Sequence, residues 1–102
     1  MTDRQRLPDR RASQTFSIKC AGQPYTCTIS KFSDDRLGEI FLSNNKAGSH
    51  ADTAARASAV VCSIALQHGV PPETIRRALC RDAGGNASGA LGVALDILAG
   101  EQ

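Results

Sequence analysis

Apolar and polar residues alternate along TFSIKCAGQPYTCTISKF, with Phe16, Ile18 and Cys20 in one run and Tyr25, Cys27 and Ile29 in the next. A period of two marks a half-buried strand. Gly22 lies between the runs, and a two-residue turn at Gly22-Gln23 or Gln23-Pro24 keeps both triplets on one face of a hairpin, the face to be buried. SDDRLG, rich in Ser and Asp and closed by Gly38, predicts a second turn. EIFLS then predicts a third strand, with Ile40 and Leu42 on one face and Phe41 on the other. Three antiparallel strands in a meander follow.

The period changes after the loop NNKAGSH. A long helix is expected over residues 51–68, opened by Ser49-x-x-Asp52, a capping box with Asp in place of Glu, and closed by Gly69 at C′. Its stretch ASAVVCSIAL carries no charge. A helix apolar around most of its circumference is buried on more than one side. The sheet covers one side, so the other must meet the C-terminal helices or a second copy of the chain.

Pro71 and Pro72 open a short helix with Ile75, Ala78 and Leu79 inward and Arg76 and Arg77 outward. RDAGGNASG reads as a flexible loop, and ALGVALDILA as a last helix with Leu91, Leu95 and Leu98 in one stripe, weakened by Gly92. Strands first and helices after predict an α+β fold: a three-stranded antiparallel meander, then a long buried helix and two shorter helices packed on the sheet. Residues 1–13 are expected to be a flexible basic tail and residues 14–102 a single domain.

Composition narrows the function classes. Aromatics make up only 4% of the 102 residues, so stacking platforms for single-stranded nucleic acid are hardly available. A net charge of +2 is too small to demand a nucleic-acid partner. No apolar run reaches the length of a membrane span, and MTDRQRLPDRRASQ lacks the apolar stretch of a secretory signal, so a cytoplasmic location is expected. Cys20, Cys27, Cys62 and Cys80 show no C-x-x-C pair and no His at a zinc-ligand offset. They are expected as free thiols, although Cys20 and Cys27 can face each other across a hairpin.

The best place for an anion is NNKAGSH, where Lys46 offers charge, Gly48 permits close backbone approach and Ser49 begins a helix with free N–H groups. The lysine precedes a single glycine, so this is no Walker A loop. Arg56 and Arg81 are the arginines that helix packing can bring towards Lys46; Arg76 and Arg77 are further candidates. A turn and cap alone would need the same Gly and Ser. His50 and His68 bracket the long helix about 27 Å apart and cannot share one site. No nucleophile–base grouping and no metal constellation can be assembled, so the chain by itself is not expected to be an enzyme.

GEIFLSNNKAGS followed by ADTAARASAVVCSIALQHGVPPETI resembles the TSCPD domain, found near the C-terminus of adenosylcobalamin-dependent ribonucleotide reductases and as short free-standing proteins. The matching positions are Gly38 to Phe41, Lys46, Gly48, Ser49, Ala65 to Gln67, Gly69 to Pro71 and Glu73 to Ile75. The pentapeptide TSCPD itself is missing. The resemblance implies a relation to ribonucleoside-diphosphate reductase, and so to DNA precursor synthesis and adenosylcobalamin. No cofactor is assigned to this chain, because the barrel, radical-forming cysteine, reducing cysteine pair and cobalamin site of the reductases do not fit into 102 residues. Three functions are therefore weighed. The first is a non-catalytic module that binds a nucleotide-like anion through Lys46, Gly48, Ser49, Arg56 and Arg81, or binds a reductase chain. The second is a homo-oligomer formed through the helix 51–68 without a small-molecule ligand. The third is a true enzyme, either a reductase component or a thiol catalyst using Cys20 and Cys27.

Overall fold

The computed structural model describes residues 3–100, so residues 1–2 and 101–102 at the outer ends of the two expected ranges lie outside the described residues. Strands β1 (Ser13–Cys20), β2 (Gln23–Lys31) and β3 (Leu37–Asn44) form an antiparallel sheet in the order β1-β2-β3. Helices α1 (His50–Gln67), α2 (Pro72–Ala78) and α3 (Ala90–Gly100) follow, an α+β arrangement. Helix α1 lies along β3, α3 lies over β1, and α2 packs against α3.

The first hairpin turns at Ala21-Gly22, one residue before the nearer of the two expected turns. Both turn residues have positive φ, 52° and 77°, as a type I′ turn requires. Pro24 dictates this placement. A turn at Gly22-Gln23 would put Pro24 in the closing hydrogen-bonded pair, where it has no N–H to give, and a turn at Gln23-Pro24 would ask proline for a positive φ. Moving the turn by one residue puts Pro24 opposite Lys19, in a pair that needs no N–H. Phe16, Ile18 and Cys20 still share a face with Tyr25, Cys27 and Ile29, because the pairing keeps the same parity. Cys20 and Cys27 do not face each other. Cys27 pairs with Phe16, and Cys20 lies four residues further along β1, about 13 Å away.

One core joins the layers. Ile18, Cys27, Ile29, Ile40 and Leu42 of the sheet meet Ala55, Ala59, Cys62 and Leu66 of α1 and Ala90, Leu91, Ala94 and Leu95 of α3. The small residues of α1 let it approach β3 closely. Three polar side chains on the same helix then seal the edge of that strand. Asp52 accepts from the Asn44 N–H at 2.9 Å, and Gln67 donates to the Gly38 carbonyl at 3.0 Å. The Ser63 hydroxyl accepts from the Ile40 N–H and donates to the Ile40 carbonyl, both at 2.9 Å. An unpaired edge is a template for aggregation, and here the neighbouring helix blocks it.

Ser49 caps α1 as expected, accepting from the Asp52 N–H. At the other end Gly69 N–H bonds the Leu66 carbonyl and Val70 N–H the Ala65 carbonyl, a Schellman closure. The far side of α1 is not covered by the described residues: Val60, Val61 and Ile64 are exposed, Val61 by 67%. In α2 the inward set differs from the expected one. Ile75, Arg76 and Leu79 turn in, while Ala78 is exposed, because Asp96 on α3 draws the Arg76 guanidinium inward.

The loop after α2 is bound to itself. Asp82 accepts from the Gly84 and Asn86 N–H groups, its own N–H reaches the Asn86 carbonyl, and Arg81 bridges to Ala87. Gly92 is explained by that turn, since a Cβ there would lie 2.8 Å from the Ala87 Cβ. Residues 3–12 cross the sheet end, where Gln5 N–H reaches the Gln67 carbonyl and Arg11 chelates Glu39.

Candidate functional site

The junction between β3 and α1 is organised by a carboxylate. Asp52 sits at the third helical position and is buried. Its Oδ1 accepts from the Asn44 N–H, and its Oδ2 accepts from the Gly48 N–H at 3.0 Å and from Arg56 Nε at 2.9 Å. Gly48, at φ 78°, turns the loop back so that its N–H points at that oxygen. The Asn44 and Gly48 donors, aided by Arg56, hold the Asp52 carboxyl below the usual range against the opposing effect of burial. Ser49 Oγ also donates to the Lys46 carbonyl at 2.7 Å, and Asn44 Oδ1 accepts from the Lys46 N–H at 2.9 Å. Donors that a glycine loop would offer an external anion are thus taken up within the chain: the Gly48 N–H by Asp52, the Lys46 N–H by Asn44 and the Ser49 N–H by the Lys46 carbonyl.

Of the five residues singled out in the sequence, Gly48, Ser49 and Arg56 bond to Asp52, and Lys46 lies in the same loop, bonded to Asn44 and Ser49. Lys46 keeps an exposed ammonium with no ion-pair partner among the described residues. Arg81 belongs to a different cluster. Its guanidinium forks onto Asp96, with Nη1–Oδ2 at 2.8 Å and Nη2–Oδ1 at 2.7 Å, and Nη1 also reaches the Gly85 carbonyl. This fork, joined by Arg76, holds Asp96 low and raises Arg81.

The four cysteines are free. Burial pushes the Cys27 and Cys62 thiols up to about 11, so both are protonated at neutral pH. Among the described residues no three His, Cys, Asp or Glu side chains stand together as a metal site, and no helix is long and apolar enough to cross a membrane.

A second surface was only half legible in the sequence. Between α1, α2 and α3 runs a groove of ≈ 530 Å³ whose walls include Ala57, Val61, Ala65, Ile75, Ala78 and Leu79. The uncharged stretch of α1 signalled it. Nothing in the sequence said that α2 would stand off far enough to leave it open.

The family model described as the TSCPD domain matches residues 3–99. The chain belongs to the TSCPD domain family. Proteins named vitamin B12-dependent ribonucleotide reductase match the same region. The one from Streptantibioticus cattleyicolor is 39% identical over 71 residues, 70% of this chain and 12% of that protein. The one from Rhodopirellula baltica is 38% identical over 72 residues, covering 71% and 7%. That from Bradyrhizobium diazoefficiens is 34% identical over 71 residues, covering 70% and 6%. This TSCPD chain therefore corresponds to a small part of each of those relatives. No solved structure matches it.

Proposed function

We propose that this chain is a non-catalytic accessory module of the B12-dependent reductase family and that it docks on a reductase chain through the apolar groove between α1 and α2. The groove carries the reading. A continuous apolar surface at Val61, Ala57 and Ala78, beside exposed Val60 and Ile64, is what a protein interface leaves on an isolated domain. In the relatives the corresponding segment is 6–12% of one long polypeptide, so it is always held beside the rest of a reductase. The groove gives such a contact a non-covalent surface.

The polar groups support a passive role. Asp52, Ser63 and Gln67 are spent on the β3 edge, Asp96 on Arg81, and the buried thiols are protonated. A redox pair of Cys20 and Cys27 would have to span about 13 Å of strand. A corrinoid does not suit this chain either: clefts of ≈ 630 and ≈ 530 Å³ have the volume for a small ligand, not for a corrin macrocycle with its nucleotide tail. We assign the chain no cofactor of its own.

Sedimentation velocity of the labelled chain, alone and with an adenosylcobalamin-dependent reductase lacking its own TSCPD segment, tests this. The expected result is a complex that Val61→Glu abolishes while the fold is kept. A chain that forms a homodimer through the same face and ignores the reductase would overturn it in favour of a homo-oligomer. A second reading, nucleotide or anion binding at Lys46, Gly48 and Ser49, is favoured by the unpaired Lys46 ammonium beside a helix start. Its anion would have to compete with the Asp52 carboxylate. A nucleotide-induced rise in Tm that disappears in Lys46→Ala would establish it.

A further inference from the structure

The face of the sheet that carries the core does not end at the core. Beyond Ile29 the same face of β1 and β2 continues into Gln14 and Lys31, and α3 ends above them at Leu98 and Ala99. This leaves a cleft of ≈ 630 Å³ between the sheet end and the α2–α3 pair. A chamber of ≈ 370 Å³, walled by Pro8, Arg10, Arg11 and Ala12, adjoins it and shares Gln14, Ile29, Lys31 and Asp35. The volume is that of a small-molecule site. Its floor is apolar, built from Ile29, Leu37, Leu95 and Leu98.

The rim is charged, and in the larger cleft Lys31 and Arg76 stand against Asp35 and Glu73. Arg10 and Arg11 line the adjoining chamber. Arg11 is taken up by Glu39, and Lys31 reaches Asp35 only loosely, at 3.9 Å. Arg76 Nε is buried without a hydrogen bond, although Glu73 and Asp96 oxygens lie 3.5 Å away. The register against β3 shifts between Ser30 and Lys31, so that Lys31 pairs with Leu37 and Gly38 is the extra residue on β3.

We propose that this cleft binds a small organic phosphate. Its phosphate lies against Lys31 and Arg76, and its ring or chain lies on Ile29, Leu95 and Leu98. Two separate cationic groups suit an anion with several acceptor oxygens, and the apolar floor asks for more than an inorganic ion. This site is independent of the α1–α2 groove and of the Lys46 loop.

Isothermal titration of the full chain with adenosine monophosphate and with hexyl phosphate separates a ring from a chain as the apolar part. Adenosine or hexanol and inorganic phosphate serve as the half-ligands. Saturable binding of one of the two esters is expected, with its half-ligands weaker by about tenfold or more. Lys31→Gln should weaken the ester by about tenfold and Lys31→Arg should restore it, as expected for a charge-assisted contact. Lys46→Ala should change nothing. Absence of saturation by either ester at millimolar concentration overturns the proposal, as does binding that ignores Lys31→Gln or that is lost in Lys46→Ala.

Discussion

Asp52 ties together three pieces of chain that adjoin it in space: the end of β3 through Asn44, the loop through Gly48 and its own helix through Arg56. Its folded carboxyl is held below the ordinary value of about 3.9. The stabilisation is therefore complete above that value and is lost as the pH falls through the lower, folded one. Thermal melts between pH 7 and pH 2 should show a loss of Tm confined to the acid end. Asp52→Asn should lower Tm at pH 7 and flatten the acid limb, and an unchanged acid limb would contradict the assignment. The cysteines give a second residue-level expectation. A thiol-reactive dye should label exposed Cys80 first and half-buried Cys20 more slowly, while Cys27 and Cys62 wait for unfolding. Rapid labelling of Cys27 in the native chain would restore a thiol chemistry that its burial denies. Ser49-x-x-Asp52 was legible as a cap. That the carboxylate would reach Gly48 and Asn44 was not, because it depends on how far the loop folds back.

At the scale of elements, the pairing of α1 with β3 decides how the fold is closed. Asp52, Ser63 and Gln67 recur at offsets of eleven and four, so they line one side of the helix and meet the main chain of one strand edge. Ser63→Ala would leave both polar groups of Ile40 unpaired in a buried place. A loss of about 1–3 kcal/mol is expected, read as a lower urea midpoint at constant slope. A neutral result would mean that the edge is not sealed in this way. The sequence pattern showed the strands, the helix and the shared face of the hairpin, since each depends on local periodicity. It read residues 57–66 as uncharged and the helix as apolar around most of its circumference, because Ser63, one of two serines there, says nothing of a strand edge. The Ala21-Gly22 turn was misplaced by at least one residue because the requirement for an N–H at Pro24 belongs to pairing, not to periodicity. Arg76 was placed outward because its partner, Asp96, lies on an element twenty residues away.

For the whole molecule, the apolar side of α1 is the feature that the described residues leave uncovered, and docking on a reductase chain is what we propose covers it. Val61, Ala65, Ile75 and Ala78 belong to that groove, whereas Lys46 lies at the start of α1 and Lys31 at the end of the sheet. The three surfaces can therefore be told apart by position alone. The most direct measurement is an amide chemical-shift titration of the isotope-labelled chain with an unlabelled adenosylcobalamin-dependent reductase lacking its TSCPD segment. Perturbations centred on residues 57–65 and 74–79 are the predicted result. Perturbations centred on residues 46–52, or none at all at saturating reductase, would contradict the account.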